Sequence, residues 1–208
     1  MGTYRRADRF LFMIRKMPLL LVPALFLAFA AFWFVSNSRG ATETPDYKVV
    51  RSAGKFEIRD YPALTVATTP MDGGEMNGGF GKLFRFITGT NERSEKISMT
   101  APVLVDTTSD KRTMSFIMPK NAVEKGVPKP TGGTVTLGKL DAARFAVMRF
   151  SGGRTATNEK AAIEKLNVWI AAENLIAKGA PTFAYYDPPW TPTFLRCNEV
   201  MLPMTCAK

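Results

Sequence analysis

An internal repeat constrains the fold of this chain more than any other feature of its sequence. KLFRFI at 82–87 aligns with KLNVWI at 165–170, and FIMP at 116–119 aligns with VMLP at 200–203, at a shift of 83 or 84 residues. Each half reads strand, helix, strand, strand. Because a half of this size does not bury its own helix, we expect the two halves to share one core.

The fold class predicted from this repeat is α+β. The repeats are predicted over about 47–119 and 135–203, joined by a loop rich in Pro and Gly at 119–133. Since the strands come in hairpin-like pairs, we expect a distorted antiparallel β-barrel from two pseudo-symmetric repeats, with two packed helices. Strands rich in β-branched residues are predicted at 47–58, 64–69, 97–105, 112–118, 135–137, 144–150, 182–186 and 194–202.

Two helices are predicted, one in each repeat. The second runs over about 157–178, with Thr157 as its N-cap and Gly179 directly after its end. In the first helix, apolar residues recur with helical spacing and give one apolar face. These residues are Met76, Phe80, Leu83, Phe84 and Ile87.

A long uncharged segment precedes the repeats. Residues 17–37 contain no charged side chain and are long enough to cross a bilayer as a helix, which takes about 20 residues. Residues 1–16 hold five basic residues and one acidic residue, so they are predicted to stay in the cytoplasm. Residues 38–46 are predicted to be a polar linker. The predicted location is a bacterial-type inner membrane, crossed once, with the C-terminal domain in the periplasm.

The same segment has a second interpretation as a cleaved signal peptide, with Ser38 and Gly40 as small residues at the cut. The apolar part of a signal peptide usually has only about 7–15 residues. The greater length of the run in this chain favours an uncleaved signal anchor.

The absence of histidine excludes several chemistries from this chain. No Ser-His-Asp triad, Cys-His dyad or His-ligated heme iron is possible. The net charge is +10, and about half of it lies in the first 40 residues. The remainder is spread along the chain without a dense basic cluster, which favours an anionic small ligand or membrane surface over nucleic acid.

Two cysteines, Cys197 and Cys206, lie near the C-terminus. An exported domain can oxidise such a pair, but the chain must turn back around Pro203 to bring the Cα atoms within about 7 Å. Two free thiols are the alternative.

Three motifs resemble those of a known protein family. They are KISMTAPV at 96–103, RFSGG at 149–153 and YYDPPWTP at 185–192, the last followed by LRCNEV at 195–200. Together they resemble the SOUL heme-binding family, and the resemblance covers residues 47–204. It implies a distorted β-barrel of two repeats with two helices. It also implies a non-enzymatic domain that binds heme or a related tetrapyrrole in an apolar groove with a basic rim.

The resemblance places the tetrapyrrole groove on the first helix. The family's positions in that helix correspond to Phe80, Phe84 and Arg85, and relatives often have Met at the first two. Arg85 is the predicted partner of a heme propionate at the rim of the groove. Leu83 and Ile87 lie on the same predicted helix face and are included in the apolar lining.

Three further residues are predicted to contact the tetrapyrrole. Met99 in the KISMTAPV motif is a candidate soft ligand or ring contact. Tyr185 and Tyr186 stand on a loop stiffened by prolines, from which aromatic rings can stack on a flat ligand. Without histidine, we expect heme to be held without strong axial ligation. Packing inside the domain is the alternative role for each of these side chains.

Two other functions remain possible from the sequence. Relatives of the repeat fold in the gyrase-inhibitor-like superfamily include small-molecule binding regulators and proposed hydrolases, so Glu199 with Tyr185 or Tyr186 is a candidate acid–base pair. A structural pairing of an inward Glu199 with Arg149 or Arg144 is the alternative. The third hypothesis is an envelope structural or interaction protein that binds no ligand.

Overall fold

The computed structural model describes residues 42–71, 76–107 and 112–205, and within these ranges the chain forms nine strands and three α-helices. The helices are α1 (Met76–Ile87), α2 (Lys120–Glu124) and α3 (Ala156–Ala172), and a 3₁₀ turn spans Thr193–Leu195. The strands are β1 (Lys48–Ala53), β2 (Phe56–Tyr61), β3 (Leu64–Pro70), β4 (Val103–Asp106), β5 (Thr113–Ile117), β6 (Thr136–Leu140), β7 (Ala143–Phe150), β8 (Thr182–Tyr185) and β9 (Asn198–Pro203).

The strands form one antiparallel sheet in the order β1-β2-β7-β9-β8-β4-β5-β3-β6. Outwards from the β4–β8 pair, the series β4, β5, β3, β6 on one side matches β8, β9, β7, β2 on the other. The two predicted repeats are therefore related by a pseudo-twofold axis between β4 and β8. Strands β2 and β6 are exchanged, since β2 pairs with β7 of the second repeat and β6 pairs with β3 of the first. This exchange is the physical reason for the shared core.

The sheet is curled but does not close into a barrel. β1 and β6 stand at the two ends of the strand order and are not paired with each other. The predicted α+β class and antiparallel sheet are confirmed, and the predicted distorted barrel takes the form of a curled half-barrel. A third helix, α2, occupies part of the predicted loop at 119–133.

Helices α1 and α3 pack on the same face of the sheet, α1 over β3 and β5, and α3 over β7 and β9. The main core lies between the helices and this face. It includes Leu83 and Phe86 of α1, Leu166 of α3, and Met114 and Phe183 of the sheet. On the predicted apolar face of α1, Leu83 and Ile87 are buried as expected, whereas Phe84 is exposed and the unpredicted Phe86 is buried in its place.

The ends of α3 differ from the prediction. Thr155 is the N-cap, and its side chain accepts a hydrogen bond from the backbone N–H of Asn158 at 3.3 Å. The predicted cap, Thr157, lies in the first turn. The helix ends at Ala172, well before the predicted end at 178, because Asn174 adopts a left-handed φ of 53° that interrupts the helix.

Several predicted strands have different boundaries. The strand predicted at 194–202 begins only at Asn198, because Thr193–Leu195 form a 3₁₀ turn. The segment 47–58 is not one strand, because the chain turns at Gly54 with a φ of 64° and forms the β1–β2 hairpin. Residues 97–102 lie outside the strands, and β4 begins only at Val103. In that segment Thr100 donates its hydroxyl hydrogen to the carbonyl of Ile117 at 2.6 Å.

The described part of the predicted linker, residues 42–46, is held against the domain, and we call it the strap. The backbone N–H of Ala101 donates to the carbonyl of Glu43 at 2.9 Å. The backbone N–H of Lys120 donates to the Glu43 carboxylate at 2.9 Å, and its ammonium group binds Asp46 at 2.5 Å. The strap is therefore part of the folded domain.

Several predictions lie outside the described residues. They concern the cytoplasmic segment 1–16, the membrane segment 17–37 and Cys206, with which Cys197 would form a disulfide. Within residues 42–71, 76–107 and 112–205, no helix combines the length and apolarity needed to cross a bilayer.

Candidate functional site

The outer side of α1 presents an aromatic pair, of which Phe84 is exposed and Phe80 is half-buried. Phe80 and Phe84 stack with ring centroids 5.9 Å apart and an interplanar angle of 15°. Phe80 also packs edge-on against Phe116 of β5, with centroids 5.3 Å apart, so the pair is supported from below. Phe84 is 46% exposed, although phenylalanine is usually buried. α1 thus offers a fixed apolar platform to solvent.

Two glycines give this platform a flat floor. At about 100° per residue, both fall on the solvent side of α1: Gly81 lies between Phe84 and Arg85, and Gly78 lies about 20° beyond Arg85. A Cβ at Gly78 would meet no atom within 4 Å, and one at Gly81 would meet only the Arg85 guanidinium at 3.8 Å. Packing does not require glycine at either position, where it costs the helix about 1 kcal/mol relative to Ala. The helix backbone is open to close approach by a flat ligand.

Positive charge borders the other side of this floor. Arg85 is exposed, roughly 100° around the helix from Phe84. A depression of about 220 Å³ beside it is lined by Lys82, Arg85 and Thr131 among others. The surface therefore has an aromatic rim, a floor that is open at the two glycines and a cationic rim. We call it the α1 shelf, formed by Phe80, Phe84, Gly78, Gly81 and Arg85.

A second depression, of about 250 Å³, lies beside the strap. Its floor is apolar, but Glu43, Asp46 and Glu124 stand at its lining with Lys120 as the basic residue. Such a rim repels carboxylates. The α1 shelf is therefore better suited than this depression to an anionic flat ligand.

Three of the predicted contact residues do not lie on the α1 shelf. Leu83 is 0% exposed and Ile87 is 3% exposed, because both point into the core under the helix. Met99 is half-buried and packs against the same core. Leu83 and Ile87 anchor α1 in the core, so a ligand on the outer side of the helix does not reach them.

Tyr185 is also an internal residue. Its hydroxyl donates to the carboxylate of Glu159 at 2.6 Å, and Arg154 lies over its ring at 4.6 Å. Burial, together with the Glu159 carboxylate, raises the pKa of Tyr185 well above its ordinary value. The phenol therefore stays protonated, and its buried ring is not available for stacking on a ligand at the surface.

Tyr186 lies on the opposite face of the sheet, in a network around Glu199. Arg59 donates two hydrogen bonds to the Glu199 carboxylate, at 2.7 and 2.8 Å. Tyr186 donates its hydroxyl hydrogen to the same carboxylate at 2.8 Å, and Arg149 donates at 3.1 Å. The Glu199 carboxylate thus accepts hydrogen bonds from β2, from β7 and from the residue that follows β8.

Arg59 is the centre of this network and is 0% exposed. Besides Glu199, it binds the carboxylate of Glu57 at 2.7 Å and the hydroxyl of Tyr61 at 3.0 Å. Its guanidinium lies 4.3 Å from the centroid of the Tyr47 ring. With Arg149 included, two cations face two carboxylates, so the buried charges balance.

The electrostatics of Glu199 are those of a structural carboxylate. Burial by itself raises the pKa of Glu199, but the hydrogen bonds and charge of Arg59, with further bonds from Tyr186 and Arg149, hold that pKa below its ordinary value. Burial and the neighbouring carboxylate raise the pKa of Tyr186. An ionised carboxylate whose oxygens are already bonded does not exchange protons readily near neutral pH.

Sequence reasoning missed Arg59 because the predicted strand ended at residue 58. The alternation FEIRDY in β2 was the available signal, since it places Arg59 on the face that carries this network. The predicted pairing of the last-strand glutamate with Arg149 is confirmed. Arg144 instead binds Asp60 at 2.7 Å.

The two glycines of the α1 shelf were also missed, although glycine inside a helical pattern is a signal for close approach.

The fold occurs in solved structures of low sequence identity. The C-terminal domain of EcmrR matches with a TM-score of 0.54 and 10% identity, covering 76% of this chain and 98% of that domain. A hydrolase from Listeria innocua matches with a TM-score of 0.53 and 12% identity, covering 73% and 92%. A complex of EcmrR with DNA matches with a TM-score of 0.54 and 12% identity, covering 96% and 69%. These likenesses define the class, an α+β protein with a curled antiparallel sheet.

The family follows from the sequence match. The family model of the SOUL heme-binding protein matches residues 42–203, from the strap to the end of β9. This chain therefore belongs to the SOUL heme-binding protein family. Heme-binding protein 2 of Homo sapiens is 45% identical over 71 residues, which cover 30% of this chain and 35% of that protein. The match thus spans about a third of this curated relative.

Proposed function

We propose that this protein binds heme or a related tetrapyrrole on the α1 shelf and catalyses no reaction there. Membership of the SOUL family and the name of the human relative support the ligand class. The observation that carries the proposal is the exposed Phe84 ring, stacked on Phe80 beside a glycine floor and a cationic rim. A porphyrin is flat and apolar, with its propionates on one edge, so its ring fits the floor and its carboxylates fit Arg85.

Apolar contact and propionate pairing provide the affinity in this proposal. The chain has no histidine, Met99 packs against the core, and Tyr185 is bonded to Glu159. Bound heme would supply an iron centre whose chemistry belongs to the cofactor. The residues of the chain hold the ring and neutralise its carboxylates.

A hemin titration of the full-length chain in detergent tests the proposal. We expect a saturable Soret change, and Phe84→Ala should weaken binding about tenfold, since burying an aromatic side chain contributes about 1.5 kcal/mol or more. Arg85→Ala should weaken it up to about fivefold, because an exposed ion pair contributes about 0.2–1 kcal/mol. Equilibrium dissociation constants from absorbance give both values.

Arg51→Ala is the matched control. Arg51 is an exposed arginine on β1, paired with Glu173 at 2.6 Å. Its removal should leave the hemin affinity unchanged. Equal weakening by Arg51→Ala and Arg85→Ala would indicate non-specific charge attraction and would reject the α1 shelf as the site.

We also propose that the domain is attached to a membrane by residues 17–37 and lies outside the cytoplasm. The support is the uncharged run after a basic N-terminus. A reporter enzyme that folds only after export should be active when it is fused after Lys208, and a reporter that folds only in the cytoplasm should be inactive there. Activity of a cytoplasmic reporter would reject this topology, and release of the native chain by high-pH carbonate would favour signal-peptide cleavage.

The hydrolase hypothesis has less support from the site. Glu199 is 2% exposed and bonded to Arg59, Arg149 and Tyr186, while Tyr185 lies on the other face of the sheet. The similarity to a hydrolase from Listeria innocua shows the fold alone. Turnover that Glu199→Gln abolishes in a folded protein would restore this hypothesis.

A further inference from the structure

The connection between β8 and β9 exposes two large aromatic side chains. We call residues 187–197 the aromatic loop. Within it, Trp190 is 81% exposed and Phe194 is 75% exposed. Single exposed apolar residues are common on protein surfaces, whereas two large exposed aromatic residues within five positions of one loop are typical of a surface that contacts a partner or a membrane.

Hydrogen bonds fix the aromatic loop without the help of these two rings. The Arg196 guanidinium donates to the carbonyl of Thr191 at 2.8 Å and to that of Pro189. Arg154 donates to the carbonyl of Asp187. The backbone of the loop is therefore held by two guanidinium groups. Little conformational entropy remains to be lost when the aromatic rings bind a partner.

The aromatic loop and the strap lie at the same edge of the sheet. Tyr185, the last residue of β8, pairs with Val103 at the start of β4 and with Asn198 at the start of β9. Ala101, just before β4, binds the strap at Glu43. The chain therefore leaves the domain, towards its N-terminus, at the edge from which Trp190 and Phe194 project.

The sequence leaves little chain between this edge and the predicted membrane segment. The apolar run ends at residue 37 and the strap begins at residue 42. Five Cα steps span at most about 18 Å when fully extended. A domain anchored by residues 17–37 would thus have this edge close to the bilayer surface.

We infer that Trp190 and Phe194 dock the domain on the bilayer by inserting into its interfacial region. This inference rests on the proposed membrane attachment. Tryptophan concentrates at the membrane–water interface, where its amphipathic ring is stable. The short tether gives the aromatic loop a high effective concentration at the lipid surface, so a modest gain from two rings is sufficient for docking. The docked domain would hold one orientation relative to the membrane.

Lipid quenching of Trp190 tests the inference in the full-length chain. Trp33→Phe and Trp169→Phe leave Trp190 as the remaining tryptophan. The protein is reconstituted into phosphatidylcholine–phosphatidylglycerol vesicles with and without brominated acyl chains. We expect a blue-shifted emission maximum and loss of intensity with brominated lipid. The matched control replaces Trp190 with Phe and Lys178 with Trp. Lys178 is exposed and lies before β8, at the end of that strand opposite to the aromatic loop. We expect the emission of this tryptophan not to be quenched.

The possible outcomes separate the two proposals. A chain that floats with the vesicles but shows unquenched Trp190, or equal quenching in the control, overturns docking alone. A chain that does not float overturns the membrane attachment and docking together. If the background with Trp33→Phe and Trp169→Phe does not fold, the difference in emission between the natural chain and Trp190→Phe measures the same signal, with the same interpretation.

Discussion

At the scale of the residue, Arg59 has the largest consequences. It is fully buried, and its guanidinium bonds the carboxylates of Glu57 and Glu199 and the hydroxyl of Tyr61. Burying an ion pair costs desolvation energy that the pairing only partly returns, so such a network is a weak source of net stability. Removing one member, however, leaves an uncompensated charge inside the protein.

Arg59→Met is therefore expected to destabilise the domain by about 3–5 kcal/mol, the usual cost of breaking a buried pair. The free energy of unfolding from urea denaturation measures this loss. Adding Glu199→Gln to Arg59→Met should recover part of it, because the orphaned carboxylate is then neutral.

Arg144→Met is the control for this prediction. Arg144 makes an equally short pair with Asp60, but both side chains are about 40% exposed, at 41% and 39%. Water and salt screen such a pair, so its loss should have a much smaller effect. If Arg59→Met unfolds at the same urea concentration as the natural chain, the network is not needed for folding.

At the scale of the element, α1 contains glycines with two different explanations. A Cβ at Gly79 would lie 3.2 Å from Met71 Cγ, so close packing requires glycine there. Gly81 has open space around it, apart from the Arg85 guanidinium. Since glycine weakens a helix, a position without a packing reason suggests a ligand that approaches the backbone.

Gly81→Leu should therefore separate stability from binding. We expect the free energy of unfolding to rise by about 0.5–1 kcal/mol through helix propensity, while hemin affinity falls because the side chain covers the floor of the α1 shelf. Urea denaturation and hemin titration measure the two effects. Gly79→Leu, on the same helix, should instead lose about 1–3 kcal/mol by overpacking. Unchanged hemin binding by Gly81→Leu would place the ligand elsewhere.

At the scale of the whole molecule, the lack of any histidine in the chain determines what kind of heme protein this would be. An iron–histidine bond cannot contribute to the affinity of this chain for heme. Ring contact and propionate pairing remain, and neither depends on the metal.

Metal-free porphyrin should consequently bind about as tightly as hemin. Competition between the two ligands for the full-length chain measures the ratio of their dissociation constants. A preference of about a hundredfold for hemin, equivalent to nearly 3 kcal/mol, would contradict this expectation and indicate an axial ligand. Met99 would then be the first residue to replace, because Tyr185 and Tyr186 are already bonded to Glu159 and Glu199.

The sequence predicted a large part of the fold. The repeat gave the pseudo-twofold order of strands, and helical spacing gave the buried side of α1, where Leu83 is fully buried. Element ends were less predictable, because Gly54 and Asn174 act through left-handed backbone conformations that interrupt otherwise continuous patterns. Of the predicted site residues, Phe80, Phe84 and Arg85 lie together on the α1 shelf.

The sequence by itself determined the α+β class, the shared core of two repeats and the exclusion of histidine ligation, because composition and periodicity are properties of the chain alone. Only the tertiary structure decided which side chains meet. Arg59 and Glu199 are 140 residues apart and pair because β2 joins the sheet of the second repeat. Periodicity gives the direction of a side chain within its own element. Its partner depends on which elements pack side by side, and the exchange of β2 and β6 fixes that arrangement here.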